Sequence, residues 1–401
     1  MKISILFLSL IFILPDLNCQ KLSSAKIINL DLDKAFNKQE EIPISRLVDK
    51  VTFTILENNP IAPVASFHQV EVTNEFVIVR QQGGNRNWQI LLFDRKSGKF
   101  LREIGKQGRG PGEFMMYSLI PFNPIKEEIY AIDSQGNLLV YNTQGVYLGS
   151  VKMPNPAAQP AAFNSIVDGN IFVVYVGNAS GNEKRKLILT NSDGTIKIIP
   201  NYLTWDAEQF WNSTQKRGFL PPPPWGFSKF YTWDNKTNFI EIYCDTLYQL
   251  TKNLLIPRYY FNWGKYNAPY SKQIWATDSK NAKNYFFITD IFENAMNIFT
   301  RIYFNDKDYT SLVDKKKNNF IFCRIGDSGI SGFHDDINNL MDIIPQGVTP
   351  NNELTWVIEP IKLLKWLKEN PDKARLAESR LPWLKTIDEF SNPIVAVAKC
   401  K

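Results

Sequence analysis

Three glycines set the strongest constraint on this chain. Gly98, Gly145 and Gly194 each stand seven residues after the first aliphatic residue of a short apolar run, and they recur at intervals of 47 and 49 residues. The leading runs begin at Leu91, Leu138 and Leu187, and a second apolar run follows each glycine, at 100–104, 146–151 and 196–199. Each unit reads as a β-hairpin whose glycine supplies the positive φ of the turn. Further strand candidates lie upstream at 75–80, 128–133 and 170–176. That makes about four strands per repeat, the unit of a β-propeller blade. A four-stranded sheet has two faces to bury, and radial packing of blades buries both, whereas a two-sheet sandwich would not require the recurring period.

The repeat loosens after residue 200 but continues. Paired strands are expected at 238–244 and 246–250, then at 258–263, 284–290, 297–305, 309–313 and 319–325, with a short helix over 271–283. Near the C-terminus, Ile361, Leu364, Trp366 and Leu367 on a charged background predict an amphipathic helix. Asn370-Pro371 starts a second helix as N-cap and first helical residue. A final strand follows at 394–398, and Ile28, Leu30 and Leu32 alternate with polar residues as a strand should. Isolated strands at both ends are what ring closure asks for, since one completes the blade begun by the other and removes an open edge. The expected architecture is all-β, a six-bladed propeller of four-stranded antiparallel blades with short helices near the C-terminus. Phe93, Tyr141 and Tyr147 are expected to pack between blades.

Composition supports β structure and narrows function. The 401 residues include 27 Phe, 16 Tyr and 10 Trp beside 23 Pro and 21 Gly. Four Cys make no disulfide scaffold, and two His argue against a multi-His metal centre. A net charge of +6 from 46 basic and 40 acidic residues is too diffuse to suggest nucleic acid. No cofactor is expected.

The N-terminus reads as an address. Lys2 precedes an apolar run over 3–14 that is too short to span a bilayer and ends at Pro15-Asp16, the pattern of a secretory signal. Cys19 then stands where bacterial lipoproteins carry the acceptor of a diacylglyceryl thioether. The expected organisation is a signal peptide over 1–18, an anchor linker over 19–25 and one propeller over 26–401. The chain would be exported to the cell envelope, on the periplasmic or surface side of the outer membrane, and held to the membrane by its lipid anchor only. The other thiols, Cys244, Cys323 and Cys400, are expected to be free.

One string carries a family resemblance. Residues 105–114 read Gly-Lys-Gln-Gly-Arg-Gly-Pro-Gly-Glu-Phe directly after Ile104. Together with Gly332-Phe333-His334-Asp335-Asp336, Leu354-Thr355-Trp356-Val357 and Asn392-Pro393-Ile394-Val395, this resembles the six-bladed β-propeller lipoproteins of gut Bacteroidetes, relatives of the NHL-repeat propellers. The resemblance covers roughly residues 26–401. It departs after Asp336, where Ile337-Asn338-Asn339 replaces a glycine-rich continuation. It implies an anchored, exported propeller, often found with glycan-utilisation functions, and no common activity.

The glycine string lacks the Gly-Lys-Ser/Thr ending of a P-loop and reads as an inter-blade crossing, with Arg109 and Glu113 able to face a central channel. His334, Asp335 and Asp336, with Asp327 nearby, are the best acid/base or oxygen-ligand cluster, although the spacing fits no calcium loop. His68 has no partner by spacing. The richest binding signal is Phe219 to Phe227, a tetraproline flanked by Trp225 and Phe227, with Trp205, Trp211, Tyr231 and Trp233 around it. A polyproline run presents aromatic rings at low ordering cost. Those rings and Arg109 are the expected ligand-binding set, with a glycan or an envelope protein as partner; the alternative is that the rings cover a blade edge or plug the channel. No nucleophile motif is present, so binding is favoured over catalysis. The competing reading is a hydrolase or lyase acting on a glycan or lactone at the channel mouth through Asp335, Asp336 and His334.

Overall fold

The computed structural model describes residues 27–65, 68–83, 87–118, 120–152, 154, 162–208, 228–326 and 329–401. Two strands come first, β1 (Ile28–Asp31) and β2 (Val48–Ile55). Blade one is β3 (His68–Val72), β4 (Phe76–Gln82), β5 (Trp88–Asp94) and β6 (Phe100–Glu103). Blade two is β7 (Met116–Tyr117), β8 (Glu128–Ile132), β9 (Leu138–Asn142) and β10 (Tyr147–Val151). Blade three is β11 (Ala162–Val167), β12 (Ile171–Tyr175), β13 (Arg185–Asn191) and β14 (Gly194–Pro200). Blade four is β15 (Ser228–Trp233), β16 (Lys236–Glu241), β17 (Thr246–Leu250) and β18 (Leu255–Asn262). Blade five is β19 (Phe287–Glu293), β20 (Asn297–Phe304), β21 (Lys307–Asp314) and β22 (Asn319–Phe322). Blade six joins β23 (Gly347–Val348), β24 (Glu353–Ile358) and β25 (Ile394–Cys400) to β2. The six-bladed antiparallel propeller expected from the repeat is therefore the fold. The first strands of neighbouring blades touch, β11 with β15, β15 with β19 and β19 with β23, so they line the centre of the ring.

The glycine period works as the sequence implied. Gly98 and Gly145 adopt φ of 73° and 79° in their turns, and Gly194 lies at 122°. At Gly98 the constraint is also steric, because a Cβ there would lie 2.0 Å from the carbonyl oxygen of Ile55 in the neighbouring blade. Both faces of each blade are buried. On β4, Ile78 packs into the cluster shared with blade two, whereas Val77 and Val79 pack into the one shared with blade six. Alternation with period two thus serves two interfaces from one strand, which is why the central strands read as continuous apolar runs. Phe93 and Tyr141 are buried as expected. Tyr147 is not: it lies on the outer strand β10, 41% exposed, with its ring beside Tyr141.

Ring closure differs from the expectation in one respect. The strand that completes the last blade is β2, antiparallel to β25 from Val48 opposite Cys400 to Ile55 opposite Ile394. The strand at Ile28–Asp31 instead adds in parallel to the free edge of β18, as a fifth strand of blade four. Between these two strands the N-terminal arm wraps the rim. Asp31 caps the helix Leu32–Phe36 by accepting from the Lys34 N–H. Leu32 is fully buried, and Phe36 meets Tyr266, Phe286, Phe304, Tyr309 and Phe322 edge-on. The arm then pairs with the outer segments of blades five and six through Glu40 with Cys323 and Pro43 with His334. The C-terminal helices are Pro360–Glu369 and Pro371–Arg380, the second with Asn370 at its N-cap position and Pro371 first, and they pack on the blade-six core through Leu363 and Ala377. The helix expected over 271–283 is two short turns, Ile274–Thr277 and Ser279–Ala282.

Polar locks accompany the apolar interfaces. The Glu293 carboxylate is fully buried between blades four and five and accepts from both terminal nitrogens of Arg258 at 2.8 Å, from Lys315 Nζ at 2.6 Å and from the Tyr231 hydroxyl at 2.7 Å. Arg80 with Glu71 and Arg95 with Glu353 bridge other inter-strand and inter-blade positions. Burial pushes the Glu293 carboxyl up, but Arg258 and Lys315 overcome this and hold it below the ordinary range.

Two predictions follow from this packing. Leu32→Ala removes a fully buried side chain from the arm and is expected to cost about 2–5 kcal/mol, read as a lower urea midpoint at unchanged slope. The stabilisation from Glu293 is complete above the ordinary Glu pKa of about 4.3 and is lost as the pH falls through the lower folded value. Glu293→Gln is expected to cost about 3–5 kcal/mol at pH 7 and to flatten the acid limb of the stability profile; an acid limb identical to that of the parent chain would refute the assignment.

Candidate functional site

In an antiparallel blade, the connections from second to third strand and from one blade to the next leave at the same end of the ring. The connections at this end include 176–184, 201–227, 263–286 and 359–393, whereas those at the other end include short turns such as 73–75, 234–235 and 294–296. The insertions are therefore gathered on one face. Three of them meet: Trp205 and Ala207 pack with Ala179, Tyr270 and Ala276. The Trp205 indole N–H donates to the Asn178 carbonyl at 2.6 Å, and the Asn178 amide reaches the Leu203 carbonyl and the Tyr270 hydroxyl. Gly181, at φ 78°, admits this packing, since a Cβ there would lie 2.1 Å from the Trp205 carbonyl oxygen.

Beside this junction a cleft opens between blades four and five. It is narrow, with room for about one or two water molecules, and is lined by Ser228 and Lys229 of β15, Ile240 and Glu241 at the end of β16, Ile242 to Cys244 after it, and Trp263, Asn267, Ala268 and Phe286 to Ile288 before and along β19. Four of its thirteen lining residues are aromatic, Tyr243, Trp263, Phe286 and Phe287, beside the polar Ser228, Lys229, Glu241, Cys244 and Asn267. Glu241 is engaged, accepting from the Tyr175 hydroxyl at 2.8 Å, from Lys186 Nζ and from the Cys244 thiol. Burial, and then Glu241, push the Cys244 thiol well up, which disfavours the reactive thiolate. Cys244, Cys323 and Cys400 are all free.

Lys229 is the group with chemistry to spare. Its ammonium has no ion-pair or hydrogen-bond partner among the described residues, and burial holds its pKa below the ordinary lysine value, with Asp290 opposing the shift and Arg301 adding to it. Asp290 sits on the neighbouring first strand, after a bulge at Thr289 that changes the register between Ile288 and Asp290. Bulges re-aim side chains in this way. Burial raises the Asp290 carboxyl, against Lys229 and Arg301. No sequence motif marks Lys229 or Asp290; only the pairing of blades brings them near each other.

The residues singled out from sequence are dispersed. Trp205 is buried in the insertion junction and Tyr231 in the interface with blade five, 7% and 9% exposed. Trp233 lies at the far end of β15, under the Lys315 ammonium at 3.7 Å. Arg109 is exposed on the crossing from blade one to blade two. That crossing is a self-closed turn, with the Gly108 N–H donating to the Phe114 carbonyl and the Gly110 N–H to the Glu113 carboxylate. Trp211, Phe219, Trp225, Phe227, Asp327 and Cys19 lie outside the described residues. The chain segment 209–227 re-enters at Ser228, on the lip of the cleft.

His334, Asp335 and Asp336 sit at the rim, where the N-terminal arm crosses. The Asp335 carboxylate is buried and accepts from the backbone N–H groups of Ile337, Asn338 and Leu340. Asp336 accepts from the Ser45 N–H and hydroxyl, and the His334 backbone pairs with Ile42 and Ile44. These carboxylates organise a loop and pin the arm. Among the described residues no cluster of three or more His, Cys, Asp or Glu could hold a metal, and no helix is long and apolar enough to cross a membrane.

Comparison with known proteins places the chain. A family model described as "Domain of unknown function (DUF4934)" matches residues 27–399. No curated protein matches at a significant level. Among solved structures, the chain is similar to a predicted exported protein of Bacteroides fragilis, at 16% identity and a TM-score of 0.65, over 94% of this chain and 99% of that one. It is also similar to a member of the DUF4221 family from Bacteroides vulgatus, at 12% identity and a TM-score of 0.51, over 90% of this chain and 99% of that one. At these identities the likeness is one of fold.

Proposed function

Taking as premise that the chain belongs to the DUF4934 family, we propose that it is an exported, lipid-anchored binding module of the cell envelope, whose ligand docks at the end of the ring beside the cleft between blades four and five. A glycan or an envelope protein is the partner class. The observation that carries this reading is the gathering of long connections at one end of the ring, where Tyr243, Trp263, Phe286, Phe287 and Lys229 line a narrow cleft. The aromatic, proline-rich segment rejoins the described chain at its lip. Export is supported by the charged and apolar start of the sequence, and the anchor by Cys19 just behind it. A binding role is preferred to catalysis because the carboxylates with the best sequence credentials, Asp335 and Asp336, are spent on backbone and Ser45 hydrogen bonds.

Two experiments test the proposal. On a glycan array and in pull-downs from envelope extracts, the exported chain is expected to retain a defined glycan or protein, with retention reduced at least tenfold by Tyr243→Ala in the cleft wall. Retention of nothing by either method would refute the binding role. For the anchor, a fatty-acid analogue is expected to label the chain and Cys19→Ala to abolish both label and membrane fractionation; a Cys19→Ala chain that labels and fractionates like its parent would end the lipid-anchor proposal.

A further inference from the structure

The outer strands of blades one to three share an irregularity. In β6, β10 and β14 the register against the preceding strand shifts, and the extra residue on the outer strand is Leu101, Leu148 and Ile196 in turn. Each is a β-bulge whose aliphatic side chain is between 38% and 53% exposed, and Ile198 of β14 is exposed beside Ile196. Among the described residues these strands are the last of their sheets. A bulge blunts an edge against pairing with another strand, and in β14 Lys197 and Pro200 act in the same sense. Aliphatic side chains are thus held out to solvent on edges that refuse a strand.

The entry point of the chain selects one arc of this rim. β18 starts beside blade three, since Leu250 and Leu255 around its leading turn pack with Ile199 of β14, and it ends beside blade five, where Phe261 meets Phe320 edge-on. β1 runs parallel to β18, so the chain reaches Ile28 from the blade-three side. Eight Cα–Cα steps separate Cys19 from Ile27, a reach of at most about 29 Å. A lipid on Cys19 therefore keeps the rim at blades three and four close to the bilayer. The arc from blade two to blade four exposes Leu148, Ile196, Ile198 and, in the turn 251–254, Leu254. Its lysines Lys152, Lys197 and Lys252 are exposed, β10, β14 and that turn contain no acid, and the nearest acid in sequence is Asp193, in the turn before β14. Leu101 belongs to blade one, across the ring from blade four.

We propose that this arc of the rim is a second membrane contact, with Leu148, Ile196, Ile198 and Leu254 entering the headgroup region of an anionic bilayer and the three lysines meeting its phosphates. The inference rests on the lipid-anchor reading above and adds which way the anchored ring faces. A bilayer offers no strand, so a bulged edge does not hinder it. Aliphatic side chains gain by leaving water, and lysines add attraction to an anionic surface. Held by its rim, the ring leaves the end that gathers the long connections open to solvent.

Flotation with protein-free vesicles tests the contact apart from the anchor. The exported chain with Cys19→Ala is expected to associate with vesicles of phosphatidylethanolamine and phosphatidylglycerol more than with phosphatidylcholine, and less as salt rises. Ile196→Asp combined with Ile198→Asp should lower that association about tenfold at an unchanged melting temperature, while Leu101→Asp leaves it as in the parent. No association, or equal effects of the two changes, would overturn the proposal. On the anchored chain in the same vesicles, Ile198→Cys is expected to resist a membrane-impermeant maleimide that Leu101→Cys accepts; equal labelling would overturn it too. Protection of Ile198→Cys in envelope fractions but not in protein-free vesicles would give the patch to a protein partner instead. A parent chain that takes no fatty-acid label would refute the anchor, and the flotation result would still decide the rim.

Discussion

The pairing of β2 with β25 is the contact on which the ring depends. Six blades give six interfaces only if the first and last strands of the circle belong to one sheet, and here that sheet draws three strands from the C-terminal end and one from near the N-terminus. Without β2, the core of blade six would lose Val48 and Val51, and blade one would face an incomplete partner. Every blade is buried on both faces by its neighbours, so no interface can open without exposing two sets of apolar side chains. Closure by hydrogen bonds between sequence-distant strands converts local hairpins into one cooperative unit.

The N-terminal arm extends that logic to the rim. Outer strands leave unpaired backbone groups, and the chain covers two of its own edges: β1 pairs with β18, and the helix after it packs against β22. Blades two and three show what an uncovered edge looks like. Their outer strands expose Leu148, Ile196 and Ile198, with Lys197 between the two isoleucines as a charge that discourages pairing with another chain. The loop carrying Asp335 and Asp336 belongs to the same belt, which explains two adjacent acids without invoking chemistry.

The cleft arises because the blades around it are the irregular ones. Part of its lining comes from the connection 263–286, which joins blade four to blade five. In the same interface the bidentate Arg258–Glu293 contact forms a buried ion pair. Lys229 and Tyr231 share one face of β15, two residues apart. Tyr231 feeds the Glu293 network, and Lys229 lines the cleft.

What the sequence determined by itself was the repeat and therefore the class of fold. A glycine at a fixed offset requires a turn, an apolar run of four or five residues bounded by turns requires a strand buried on two faces, and both are local properties that survive without tertiary information. The helix start at Asn370-Pro371 and the final strand at Ile394 were legible for the same reason. The closing strand was missed although Val51-Thr52-Phe53-Thr54-Ile55 is rich in β-formers, because no local signal says which strand meets Ile394. The aromatic count pointed to a binding surface, yet the rings at Trp205 and Tyr231 are spent on packing. Only the tertiary structure decided these matters. Which edges pair and which charges meet depend on contacts between blades far apart in sequence, and such contacts leave no pattern in any single segment.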